Sequence, residues 1–184
     1  MWKSPCSTLR LGGDEIIIMR YFLPILLMVW PYLPIGIFCI RNEEVMSSVF
    51  LIYVLLTVVV YLANAVNAFS MQDIKRSALF EMLLKLIHIP FYLVVFIVGL
   101  LFVGASVVPA LIFVTPLLVF VLFIIDWFLM LTTSMYGINA MIRAGRERKI
   151  STKFAIVNIL LHLFFVTDMI SSVVVYCKLR KAAE

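Results

Sequence analysis

The stretch from Glu81 to Ser106 most constrains the fold, because it is apolar enough to cross a bilayer although its first turns carry charges. A helix rotates by about 100° per residue, which places the polar side chains of this stretch on one narrow face. That face holds Glu81, Lys85, His88, Tyr92, Gly99 and Ser106. Lipid cannot solvate such a face, so it must pack against protein or water. The stretch therefore predicts further membrane helices that cover it.

The composition extends this prediction to the whole chain. Its 184 residues are 65% hydrophobic and 14% charged, whereas soluble domains are about 45–50% apolar. The charged residues fall in short runs between long apolar segments, as in membrane proteins. We expect an all-α polytopic transmembrane helix bundle, with the lipid bilayer as its first partner. The net charge of +5 does not predict nucleic-acid binding, because basic residues in membrane proteins mainly set orientation.

Five apolar segments predict five transmembrane helices within a single membrane domain that covers residues 1–184. A polar N-terminal tail, residues 1–15, precedes them, and Met19 is an alternative start to Met1. The predicted spans are residues 16–40, 45–69, 83–107, 110–136 and 154–177. In the first span the run from Trp30 to Pro34 predicts a break in the helix, with freed carbonyls that face neighbouring protein. The short turn at Val108 and Pro109 predicts that spans three and four are antiparallel neighbours.

The distribution of lysine and arginine predicts orientation. The loops after spans two and four are basic and should be cytoplasmic, which places the N-terminus inside. Five full crossings would then place the C-terminus outside. The basic tail with Lys178, Arg180 and Lys181 argues against that position. Either the fifth span is tolerated against the rule or it does not fully cross, and the side of the C-terminus stays open.

Asp126 is the most informative single residue, because it is a charged side chain inside the fourth span. A carboxylate at a helix centre costs about 2.5–3.5 kcal/mol on insertion scales, so Asp126 needs a partner, water or a proton. Lys85, His88 and His162 are the candidates, and a contact of Lys85 or His88 with Asp126 is expected across the hairpin of spans three and four. Such a contact is either a structural link between helices or a transport or proton site. Glu81 and Lys85 also have the spacing of a helical ion pair.

Two further sets of polar residues lie in spans two and five. In span two, Asn64 and Asn67 share a face with tyrosines and a threonine, which predicts hydrogen bonds between helices or the wall of a wetted cavity. In span five, His162 and Asp168 are about 120° apart on a continuous helix, so they do not form a ready pair. The two histidines have no HxxxH or HExxH spacing, and no metal or cofactor is expected. No familiar catalytic motif occurs, so we assign no catalytic residue and expect a protein that is not an enzyme.

The C-terminal part of the chain carries a resemblance. Its elements are Ser134-Met-Tyr-Gly137, a basic turn, Ile159-Leu-Leu-His162 and Asp168-Met-Ile-Ser171. Over residues 134–181 the sequence resembles the C-terminal half of small uncharacterised integral membrane proteins of Gram-positive gut anaerobes. The resemblance implies a multi-pass membrane protein and supplies no activity.

Two functional hypotheses follow for a multi-pass protein of the bacterial cytoplasmic membrane. The first is a non-catalytic accessory or regulatory membrane component, whose polar faces bind helices of its own chain, of a second copy or of a partner membrane protein. The alternative is a small transporter or channel component with a proton or cation site around His88, Asp126 and His162. Buried charges in membranes default to functional sites, and small chains without large loops or repeats suit the accessory role.

Overall fold

The computed structural model describes residues 20–162 and 165–181, and within them it contains helices and turns but no strand. The helices are α1 (Arg20–Ile37), α2 (Glu43–Ser70), α3 (Ile74–Ala105), α4 (Val114–Arg146), α5 (Thr152–Leu161) and α6 (Phe165–Lys181). The all-α prediction is confirmed. By length and composition, α1 to α4 could each cross a membrane. The count of five spans is not confirmed, because residues 154–177 are divided between two shorter helices.

The chain forms two compact units, Met1–Asn67 and Ala68–Glu184. In the first unit α1 tightens into a 3-10 turn at Trp30–Tyr32, where Pro31 brings a fixed φ and no backbone donor. The hydroxyl of Tyr53 donates at 3.2 Å to the Trp30 carbonyl, which also accepts from the Leu33 backbone N–H. The Trp30 indole donates to the Thr57 hydroxyl at 2.8 Å. The run thus tightens α1 into a 3-10 turn where a break was predicted, and the Trp30 carbonyl keeps a backbone partner while it faces Tyr53 of α2.

The two asparagines predicted on the polar face of α2 are both buried. The Asn64 amide donates to the Val60 carbonyl at 2.9 Å, and the Asn67 amide donates to the Arg20 carbonyl at 3.1 Å. The bond of Asn67 therefore links the last turns of α2 to the start of α1. The bond of Asn64 instead lies within α2.

In the second unit α3 and α4 run antiparallel, as the short turn between them predicts. The Ser77 hydroxyl near the start of α3 donates to the Tyr136 carbonyl near the end of α4 at 2.7 Å. One turn further along α4, the Asn139 amide donates to the carbonyls of Ala68 and Met71 at 2.8 and 3.0 Å. Asn139 thus satisfies backbone acceptors in the connection between α2 and α3, where a helix ends without intrahelical partners.

Helices α5 and α6 form an antiparallel hairpin, because pairs between them move in opposite directions along the two helices. His162 contacts Asp168, and the Ser171 hydroxyl donates to the Asn158 side chain at 2.8 Å. The Lys178 ammonium lies 3.6 Å from the ring centroid of Phe154. The end of α6 has therefore returned to the start of α5.

Candidate functional site

The N-terminal part of the predicted polar face of α3, from Glu81 to Tyr92, is buried, whereas Gly99 and Ser106 are partly exposed. Glu81, His88 and Tyr92 are 0%, 0% and 5% exposed, and Lys85 is 2% exposed. Lys85 Nζ lies 2.7 Å from Glu81 Oε1, one helical turn away. The i,i+4 ion pair that the sequence predicts is therefore formed out of water, where an unpaired charge would be costly.

The ammonium of Lys85 joins the two sides of a buried cluster. Its Nζ donates to Asp168 Oδ1 on α6 and lies 3.0 Å from His162 Nδ1 at the end of α5. Glu81, Lys85, His162 and Asp168, which we call the buried cluster, are all no more than 2% exposed. The cluster thus ties the C-terminal hairpin to α3.

Each ring nitrogen of His162 lies next to a carboxylate oxygen. Nδ1 contacts Asp168 Oδ1, and Nε2 lies 3.1 Å from Glu81 Oε1. A neutral ring accepts from Lys85 at Nδ1 and keeps its proton on Nε2, whereas an imidazolium donates from both nitrogens. With the imidazolium the cluster holds two positive and two negative charges; with the neutral ring it carries one excess negative charge. Within the described residues Nε2 forms no hydrogen bond, so the ring is engaged through Nδ1.

Helix α4 closes the cluster from a third side. A Cβ atom at Gly137 would lie 1.8 Å from Glu81 Oε2, so any side chain here would require the carboxylate to move. The Ser134 hydroxyl, one turn earlier, lies 3.3 Å from Asp168 Oδ1. Among the described residues Glu81 Oε2 has no hydrogen-bond partner. The close approach of α4 therefore excludes water from one oxygen of Glu81 and leaves the other to the cations.

Three residues of the cluster are of types that bind metal ions. Ligand atoms of Glu81, His162 and Asp168 lie within 4.8 Å of one another, and nitrogen with carboxylate oxygen is a ligand set that Zn²⁺ accepts. However, Lys85 Nζ already pairs with one carboxylate oxygen of each acid, Glu81 Oε1 and Asp168 Oδ1. The ammonium already supplies the positive charge, which makes the arrangement an ion-pair cluster.

Lys85 does not form the expected contact with Asp126, whereas a contact of His88 with Asp126 stays a prediction. Lys85 is bonded to Glu81 and Asp168 instead, and within residues 20–162 and 165–181 Asp126 Oδ1 has no hydrogen-bond partner. His88 is buried beside Tyr92, with ring centroids 6.2 Å apart. The other predicted polar residues, Asn64 and Asn67, belong to the first unit.

The sequence analysis predicted that His162 and Asp168 do not pair, because it placed both on one continuous helix. The fold breaks that helix after His162, and the two side chains then face each other across the hairpin. The basic tail, which conflicts with a fifth crossing, was the available signal for this break. Sequence reasoning also missed Ser134 and Gly137 as neighbours of the cluster, although a glycine inside an apolar helix often marks a close approach.

The chain matches the model of one protein family, described as a family of unknown function (DUF6652), over residues 16–181. Neither a curated protein nor a solved structure matches it. An uncharacterised family is therefore confirmed, and the match extends far beyond the C-terminal part that carried the resemblance. The match does not bear on the membrane or on a bacterial origin.

Proposed function

The chain belongs to the DUF6652 family of unknown function, and from its own geometry we propose that it is a non-catalytic accessory or regulatory component of a cell membrane. The observation that carries this proposal is that buried charged residues of different helices pair with one another. Lys85 is shared between Glu81 of its own helix and Asp168 of the hairpin. Both buried carboxylates thus find a cationic partner inside the same chain, as expected where ion pairs hold helices together.

The proposed topology has four crossings and a hairpin that enters the membrane and returns. The antiparallel course of α5 and α6 supports it, because Lys178 then lies on the same side as the basic loop after α4. Both termini are cytoplasmic in this arrangement, and the basic tail obeys the positive-inside rule. We place this topology in the cytoplasmic membrane of a bacterium, as the resemblance of residues 134–181 implies.

Lys85→Met tests whether the cluster holds the hairpin. The substitution leaves two buried carboxylates with at most one positive partner, and removing one member of a buried ion pair costs about 3–5 kcal/mol. We expect the free energy of unfolding in detergent micelles to fall by that order. Adding Asp168→Asn to Lys85→Met should restore part of the loss, because one of the two buried carboxylates left without Lys85 is then removed.

Proton flux provides the functional measurement for the same variants. In liposomes with a pH-sensitive dye inside, wild type and Lys85→Met should acidify no faster than empty vesicles after a pH jump. Flux through wild type that Lys85→Met or His162→Gln abolishes, in protein that still folds, would overturn the accessory role. An additive double variant, with no recovery of stability, would instead show that the charges do not act together.

A small transport component is the second candidate, and the geometry of His162 favours it. Its two ring nitrogens lie beside carboxylate oxygens of two different helices, Asp168 Oδ1 and Glu81 Oε1. Asp126, within the apolar part of α4, would then supply a third carboxylate along a proton or cation path. His162→Gln and Asp126→Asn should each abolish flux if this candidate is correct, whereas neither matters for flux in the accessory role.

A further inference from the structure

One end of the second unit gathers basic residues from three separate segments. Ile74 at the start of α3, Ala144 near the end of α4 and Leu179 near the end of α6 are buried in one hydrophobic cluster. The basic side chains that flank these positions therefore share one end of the unit. We call this surface the basic end, and it comprises Lys75, Arg146, Arg148, Lys153, Lys178 and Arg180, all exposed.

The acidic residues of this end are few and already engaged. In residues 68–80, 142–158 and 174–181 the sequence contains only Asp73 and Glu147 as acids. Asp73 pairs with Arg76 at 3.0 Å, and Glu147 pairs with Lys149 at 2.6 Å. The basic end thus keeps a strong positive charge, whereas residues 106–113, in the turn between α3 and α4, contain no charged side chain.

The hairpin fixes part of this surface. Lys178 lies over the Phe154 ring, a cation–π arrangement that holds the ammonium beside α5. Leu179 is buried in the same cluster as Ile150 and Ala155. Lys178 and Arg180 are therefore held next to Lys153 by packing, as well as by chain connectivity.

We propose that the basic end binds the headgroups of anionic phospholipids. The apolar helices that begin or end at the basic end place it at the level of the lipid headgroups. There each lysine or arginine contributes about 1 kcal/mol to the free energy of binding to an anionic leaflet. Guanidinium groups such as Arg146 and Arg148 match the phosphate oxygens in geometry. The inference rests on the proposed topology, in which the end of α6 lies on the same side of the membrane as the start of α3. It does not depend on whether the buried cluster is structural or carries protons.

Native mass spectrometry of the full chain in detergent tests this inference. Phosphatidylglycerol and phosphatidylcholine of equal chain length are titrated, and the occupied fraction of protein is measured. We expect wild type to prefer phosphatidylglycerol, and Arg146→Gln/Arg148→Gln and Lys178→Gln/Arg180→Gln each to weaken that preference by about five-fold per removed charge. Lys178→Arg/Arg180→Lys keeps the charge and should keep the preference.

Three outcomes would overturn the inference. Equal binding of the two lipids shows that the headgroup charge is not recognised. Unchanged preference in Lys178→Gln/Arg180→Gln, with thermal unfolding like that of wild type, shows that the hairpin contributes nothing. Displacement of phosphatidylglycerol by equimolar inorganic phosphate shows that the site takes free anions. Arg41→Gln, an exposed charge in the turn before α2, serves as the control and should leave the lipid preference unchanged.

Discussion

At the scale of single residues, the position of Glu81 depends on the absence of a side chain at Gly137. A methyl group there would overlap the Glu81 carboxylate, with 1.8 Å to Oε2. Gly137→Ala should therefore displace Glu81 from Lys85 and lower the free energy of unfolding by about 1–3 kcal/mol, the usual range for overpacking. Unfolding in detergent micelles followed by circular dichroism measures the change.

Gly99→Ala in α3 is the matched control, since no heavy atom lies within 4 Å of a Cβ built at Gly99. Alanine is favoured over glycine in a helix by about 1 kcal/mol, so this variant should be as stable as wild type or more stable. Equal effects of Gly137→Ala and Gly99→Ala would show that helix propensity, and not the space around Glu81, determines the result.

At the scale of helices, two adjacent serines of α6 differ in their hydrogen-bond partners. Ser171 donates to the Asn158 side chain on α5, whereas its neighbour Ser172 donates to the Met169 carbonyl of its own helix. Ser171→Ala should lower the free energy of unfolding by about 1 kcal/mol and speed deuterium exchange in α5, because a buried amide oxygen loses its donor. Ser172→Ala, at an equally buried position, should change neither quantity. If both variants exchange alike, the Ser171 bond does not hold the hairpin.

The same scale shows how far sequence reasoning reaches. The apolar segments and the buried face of Glu81 and Lys85 follow from hydropathy and helical periodicity, which are local properties of the chain. The break between α5 and α6 could not be derived in this way, because an apolar segment of 24 residues fits one crossing as well as two shorter helices. The pairing of His162 with Asp168 depends on that break, so the centre of the cluster was missed while its α3 half was found.

At the scale of the whole molecule, the open question of the C-terminal side becomes an experiment, because two exposed cysteines lie in informative places. Cys39 follows α1, and Cys177 lies near the end of α6. In the proposed topology Cys39 is outside and Cys177 is cytoplasmic. A membrane-impermeant maleimide on intact cells should therefore label a variant that retains only Cys39 and spare one that retains only Cys177. Cell lysis should expose Cys177 to the reagent, which controls for reactivity. Labelling of Cys177 in intact cells would mean that residues 154–177 cross the membrane, and the shared basic end would be lost with the returning hairpin.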